Sequence, residues 1–155
     1  MTEALSMSPP SGPWLNAALL CEQILQERDG TLSAIRIVDR LTIHAEGQAV
    51  PVEMPRHRAS LKMLLVLRSG SAKGKATYEI VVEDPRGFKH PTQLRDDLFL
   101  PGEEAGAQVI IDLNLDVDYE GVYWFDVSVD GRLFTRVPLR VMYRRVSASH
   151  SGSSE

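Results

Sequence analysis

The stretch DLNLDVDYEGVYWFDVSVD, residues 112–130, decides the fold of this chain. Its apolar side chains fall on odd-numbered positions from Leu113 to Val129, whereas Asp112 and Asp126 are among the polar residues at even-numbered positions. A period of two is typical of a β-strand with one buried face and one wetted face. The pattern therefore predicts two strands joined by a short turn, with most of the carboxylates on the solvent side.

The same alternation recurs in the middle of the chain, where it predicts two further strands. The apolar positions are Leu61, Met63, Leu65 and Leu67 in one strand and Ala76, Tyr78, Ile80 and Val82 in the other. Earlier in the chain, residues 16–26 and 32–44 are predicted to form a hairpin around Asp29 and Gly30. The first segment is apolar on both faces at residues 19–21, as expected of a central strand or of one that passes between sheets.

Seven strands are predicted in this way, and no stretch of ten or more residues has a convincing helical pattern. The predicted fold class is therefore all-β, as a two-sheet antiparallel sandwich. At 155 residues the chain has the length of one domain, which we expect to span residues 14–146. The tails, residues 1–13 and 147–155, are rich in Ser, Pro and Gly and are predicted to be disordered.

The register of the last hairpin is predicted by matching the core faces of its two strands. A two-residue turn at residues 130–131 would put those faces out of phase. A three-residue loop over residues 129–131, with its glycine in a bulge, instead aligns Val127 with Leu133. The last strand would then bury Leu133, Val137, Leu139, Val141 and Tyr143.

The even-numbered positions of that last strand are rich in arginine and would face outward. In the predicted register Arg136 lies opposite Trp124. Two interpretations remain open: the arginines pair with acids such as Asp126 and stack on Trp124, or the face binds a partner. Interface centres are enriched in aromatic residues, Met and Arg. The candidate partner-binding residues are Trp124, Phe134, Arg136, Arg140 and Met142.

The composition of the chain indicates where the protein is located and which classes of partner it can bind. With 43% apolar and 25% charged residues the chain has the average composition of a soluble globular protein. The apolar run at residues 14–21 fits neither a signal peptide nor a membrane span, so we expect a cytoplasmic protein without a membrane partner. The net charge of −4 disfavours nucleic acid. The single cysteine, Cys21, is predicted to be a buried small hydrophobe.

The sequence offers little support for a metal, a cofactor or a catalytic group. Asp116, Asp118 and Glu120 have the alternate spacing of calcium ligands, but the required glycine and the terminal glutamate of such a loop are not in place, which leaves cation binding there as an open alternative. The four histidines are scattered without the spacing of metal ligands. We therefore expect no catalytic residue, no metal site and no cofactor.

Two resemblances bear on the fold. The segment EGVYWF, residues 120–125, resembles the Gly-x-Tyr turn of immunoglobulin-like sandwiches, which implies that the Tyr123 hydroxyl ties the preceding loop to its strand. Phe125 occupies the place of the second cysteine of antibody domains, so no disulfide is implied. More widely, residues 16–144 resemble a family of small bacterial proteins catalogued only as a domain of unknown function. That resemblance implies an immunoglobulin-like fold, a bacterial source and no known catalytic residues.

The function expected from the sequence is a non-enzymatic interaction or structural module that engages another protein or itself through the outward arginine and aromatic face. The alternative is a small-ligand receptor or an enzyme. Its site would lie between two long connections, residues 45–59 and 87–106, because long connections tend to be functional. That site would bring together His57, His90, Arg95 and Asp96.

Overall fold

The computed structural model describes residues 12–90 and 94–147, so most of both predicted tails lies outside the described residues. The described residues form ten strands and no helix, which confirms the all-β prediction. The strands are β1 (Trp14–Gln26), β2 (Leu32–Ile37), β3 (Arg40–Gly47), β4 (His57–Arg68), β5 (Gly74–Glu83), β6 (Lys89–His90), β7 (Arg95–Leu100), β8 (Gly106–Val117), β9 (Gly121–Val129) and β10 (Arg132–Ser147). The predicted count of seven is wrong, because residues 32–44 are divided into two strands and the connection at 87–106 contributes β6 and β7.

The strands form two sheets, as predicted. The four-stranded sheet has the order β2-β1-β4-β8, and the six-stranded sheet has the order β3-β10-β9-β5-β6, with β7 also paired to β5. Strand β1 is central in its sheet, and it forms the predicted hairpin with β2. Gly30 in that turn has a positive φ of 85°. The connection from β4 to β5 carries the chain from one sheet to the other.

One strand pair departs from the predicted antiparallel arrangement: β3 runs parallel to β10. The backbone bends at Arg36, which has a positive φ of 55°, near the end of β2. The amide of Val38 still donates to the carbonyl of Leu20 in β1, whereas the carbonyl of Asp39 already accepts from the amide of Arg140 in β10. The chain therefore crosses between sheets within two residues, and β3 reaches β10 in the parallel direction.

The core lies between the two sheets and follows the predicted parity. Tyr123, Phe125 and Val127 are at most 2% exposed, and Leu139 and Val141 close the core from β10. Burial of such side chains stabilises a fold by about 1.5–3 kcal/mol each. Cys21 is buried as predicted, and burial raises the pKa of its thiol.

The register of the last hairpin differs from the prediction. The turn has two residues, Asp130 and Gly131, with φ of 48° and 78°, and it pairs Val129 with Arg132. Positive φ at both central residues is typical of the hairpin turns favoured by Asp-Gly. The predicted three-residue loop and its pairing of Val127 with Leu133 are therefore wrong.

A bulge inside β10 restores the phase that the two-residue turn would lose. The pairing shifts between Leu133 and Thr135, so that Val127 lies opposite Thr135. Leu133 is 54% exposed, and Phe134 packs against the core. The predicted burial of Leu133 and the predicted outward position of Phe134 are thus reversed, because the extra residue lies in the strand and not in the turn.

Candidate protein-interaction face

Strands β3, β10 and β9 lie side by side in the six-stranded sheet, and their outward side chains form the candidate face. Of the predicted residues, Trp124, Arg136, Arg140 and Met142 lie at outward positions, since residues paired across a ladder share a face. Phe134 does not belong to this face, and the guanidinium of Arg132 stacks on its ring at 4.8 Å.

Arg136 is held by groups of its own chain. Its Nε donates to Asp126 at 2.6 Å, and its Nη2 donates to Glu83 at 2.8 Å. The guanidinium also lies 5.0 Å from the ring centre of Trp124. The hydrogen bond to Asp126 and the charges of both acids raise the pKa of Arg136. The predicted pairing and stacking are confirmed for Arg136, although β10 places Pro138 opposite Trp124.

Arg140 and Arg144 are in a different situation. The parallel register sets Arg140 beside Arg40 and Arg144 beside His44. All four side chains are exposed. Within the described part of the chain, no carboxylate lies at ion-pair distance from any of the four. We call these residues, Arg40, His44, Arg140 and Arg144, the basic patch.

The basic patch surrounds a less polar strip. Met142 lies between Arg140 and Arg144 on β10, and it pairs with Thr42 on β3. Both side chains are half-buried. The thioether of Met is flexible and polarisable, which suits a contact with partners of varied shape. Neither Arg40 nor His44 was singled out from the sequence, since only the pairing with β10 brings them to Arg140 and Arg144.

An open cleft adjoins the basic patch where the chain crosses from β2 to β3. It has a volume of about 490 Å³, and Arg40 lies in its wall. Apolar Ile37 and Leu61 line it together with Glu22 and Arg36, which form an ion pair of 2.8 Å. None of the described residues that line it belongs to either long connection.

The residues of the predicted ligand site do not converge. His57 begins β4 and pairs with Val117 in the four-stranded sheet. The other three residues belong to the six-stranded sheet. His90 is in β6, and Arg95 and Asp96 are in β7; both strands pair with β5. Arg95 is 3.9 Å from Glu79, and His90 is bonded to Asp84 at 3.2 Å. The described contacts therefore do not join His57 to the other three.

Asp84, which was not singled out from the sequence, is the centre of the turn between β5 and β6. It is 3% exposed, and its carboxylate accepts from the amides of Arg86 and Phe88. The Arg86 guanidinium and the His90 ring also contact it, and Arg86 stacks on Tyr119 at 4.1 Å. Burial alone would raise the pKa of Asp84, but these hydrogen bonds outweigh it and lower the pKa to about 2. The carboxylate is thus an anchor for the turn.

The loop between β8 and β9 is fixed beside that turn. The Tyr123 hydroxyl accepts from the amides of Asp118 and Tyr119 at 3.2 and 3.3 Å, which is the contact implied for it. Gly121 has a φ of 127°, and a Cβ there would lie 2.7 Å from the Cβ of Pro85. This close approach requires glycine at the start of β9.

The carboxylates considered as calcium ligands have separate partners. Asp116 bonds to Arg58 at 3.2 Å and Asp118 bonds to Arg56 at 2.8 Å. Glu120 accepts from the amide of Tyr143 at 2.7 Å. In residues 12–90 and 94–147, no group of three or more His, Cys, Asp or Glu side chains is arranged to hold a metal ion.

Comparison with known families matches residues 16–142 to a family described as a family of unknown function (DUF6941). Comparison with curated proteins gives no match. Among the described residues there is no helix long and apolar enough to cross a membrane.

Proposed function

The chain belongs to a family of unknown function, DUF6941, and we propose that it is a non-enzymatic interaction module that binds an acidic segment of another protein through the basic patch. In this proposal the sandwich is of the immunoglobulin-like kind, and the protein is bacterial and cytoplasmic. The Tyr123 contact and the lone buried cysteine support the fold and the compartment respectively.

The observation that carries the proposal is the pairing of Arg140 with Arg40. Like charges on neighbouring positions of a sheet are destabilising. Four positions earlier on the same face of the same sheet, Arg136 has two acids and an aromatic ring as partners. The chain thus compensates one arginine within its own structure and leaves a neighbouring pair for a carboxylate from outside.

The chemistry of the face favours an acidic protein over nucleic acid. The chain has a net charge of −4, which repels a polyanion at long range. The ring of Trp124, which could stack on a base, is covered by Arg136. A short acidic segment needs only local charge complementarity, and Met142 supplies an apolar contact between the arginines.

A charge-reversal experiment tests the proposal. The double variant Arg40→Glu/Arg140→Glu reverses the charge of the two paired arginines of the patch, and Arg28→Glu/Lys73→Glu makes the same change in net charge at two exposed loop positions. Tagged proteins are used to capture partners from a bacterial lysate at low and moderate salt, and the captured proteins are identified by mass spectrometry.

We expect wild type and control to retain the same acidic partners, which the patch variant should lose. Retention should weaken with added salt, because the contacts are exposed and screened. Circular dichroism must show that both double variants are folded. Capture of the same partners by the folded patch variant would show that the basic patch is not the binding site.

A further inference from the structure

Strand β8 is an edge strand with one unoccupied side. Over its 12 residues, Gly106–Val117, it pairs with β4 on one side. No strand of the described chain pairs with its other side. An edge of this kind presents a row of backbone amide and carbonyl groups that can accept a further strand.

The other edge strands carry features that discourage such pairing. β2 and β7 have 6 residues each, β6 has 2, and β7 begins with three charged side chains. β3 carries Arg40, His44 and Glu46 on its outward face. β8 is twice as long as β2 or β7, and it contains no Pro, Lys or Arg. Short strands, prolines and charged side chains are the usual protection of natural sheet edges against pairing with another chain.

The carboxylates of β8 do not protect the edge in this way, because basic side chains of β4 neutralise their charges. Asp112 is paired with Lys62, and Asp116 is 3.2 Å from Arg58. Between them, the Ser60 hydroxyl donates to Asn114 at 2.9 Å. Asp112, Asn114 and Asp116 are thus bonded to side chains of the neighbouring strand in their own sheet.

An apolar row runs across the outer face of the four-stranded sheet to this edge. Leu19 of β1 pairs with Leu64 of β4, which pairs with Ile110 of β8. Leu64 is 7% exposed, whereas Ile110 is 45% exposed at the end of the row. The row is therefore buried at its centre and exposed at the edge strand.

We propose that two copies of this chain pair β8 with β8 in the antiparallel direction, about a two-fold axis at Ile110, to form a continuous eight-stranded sheet. In this register Ile110 meets its own copy and the apolar row continues into the second chain. Gln108 faces Asp112, and Val109 faces Ile111, so that outward residues meet outward ones. A two-fold axis makes the contact self-complementary and closed.

Neighbouring registers fit less well. An axis at Asp112 would set two carboxylates against each other. An axis at Ile111 would set Ile110 against Asp112, and any register that pairs odd with even positions would turn the core face of one chain outward. The axis at Ile110 avoids all three conflicts.

The first test is the oligomeric state by light scattering and sedimentation. Wild type should be a dimer, and Ile110→Lys should be a monomer with an unchanged circular dichroism spectrum. The matched control is Ile37→Lys, at a residue that is 67% exposed on the opposite edge strand of the same sheet, and it should remain a dimer. A monomeric wild type, or a dimeric Ile110→Lys, would overturn the proposal.

The second test checks the register by oxidation of engineered cysteines. At the axis, Ile110→Cys places two Cα atoms about 4.5–5.5 Å apart, which is within the range of a disulfide. Asp112→Cys places them about 13 Å apart, because each is two residues from the axis. The native Cys21 is buried and should not interfere. Cross-linking of Ile110→Cys alone supports the pairing, and absence of that cross-link or preferential cross-linking of Asp112→Cys overturns it.

Discussion

Arg140 and Arg40 lie in register on neighbouring parallel strands, with their side chains on the same outward face of the six-stranded sheet. The two residues are 100 positions apart in the sequence, and the parallel pairing of β3 with β10 brings them side by side. On the same face, Arg136 forms ion pairs with Asp126 and Glu83. Two kinds of arginine thus occur on one strand, and they should respond differently to mutation.

Arg136→Gln should destabilise the protein, because Asp126 and Glu83, whose side chains are only 13% and 22% exposed, would lose their closest charged partner; Lys89, 3.9 Å from Asp126, would remain. Arg140→Gln should change the free energy of unfolding by less than about 0.5 kcal/mol, and in the stabilising direction, since it relieves a like-charge contact. Urea unfolding of both variants measures the difference. Equal losses of stability would contradict the distinction between the two arginines.

Asp84→Asn should lower stability at neutral pH by about 2 kcal/mol, because the charged hydrogen bonds to Arg86 and His90 would be weakened. The pKa of Asp84 is depressed in the folded state from 3.8 to about 2. Its contribution to stability is therefore complete above the unfolded value and is lost as the pH falls through the folded one.

Thermal unfolding of wild type and Asp84→Asn across the acidic range measures this dependence. The gap between the two proteins should be constant at neutral pH and should narrow as the pH approaches about 2. Glu103→Gln, at an exposed loop position, is the control for a general charge effect. A gap that stayed constant down to that pH would show that Asp84 does not act through its charge.

Phe134→Ala should destabilise the protein by about 1–3 kcal/mol, because the ring packs against the core at the bulge in β10. Leu133→Ala should have an effect of less than about 0.5 kcal/mol, since this side chain is mostly exposed. Chemical denaturation of the two variants therefore tests the register. The opposite order of effects would support the three-residue loop predicted from the sequence.

Gly121→Ala should destabilise the protein by about 2 kcal/mol or more, because its Cβ would collide with Pro85 at a positive φ. Gly30→Ala is the control: it also has a positive φ, but no atom lies within 4 Å of the added Cβ, so only the backbone penalty of about 1 kcal/mol applies. Comparing the unfolding midpoints separates the two contributions. Equal losses in both variants would mean that the β5–β6 turn yields to the added methyl group.

Local alternation was sufficient to predict the strands and most of the core residues from Leu113 to Val129, because more buried and less buried residues alternate along β8 and β9. It was not sufficient for β10, where a bulge reverses the parity between Leu133 and Thr135 without any signal in composition. The Asp-Gly turn itself carried the correct information, since this pair favours a two-residue turn.

The candidate face was predicted only in part for a related reason. Arg140 and Met142 could be placed outward from parity alone. Arg40 and His44 could not be associated with them, because alternation does not reveal which strands become neighbours or where a chain changes sheets. The role of Asp84 was missed since a single acid before a turn gives no sign of its burial.

The parallel ladder between β3 and β10 also constrains the order in which the protein can be assembled. β10 is the last strand of the described sequence and holds both β3 and β9 in place. During synthesis on the ribosome, about a hundred further residues are added after β3 before its neighbour β10 emerges. Closing so large a loop is slow and entropically unfavourable. A nascent chain stalled before Arg132 would leave β3 without its partner and β9 paired only with β5, so the six-stranded sheet is completed only when β10 is added.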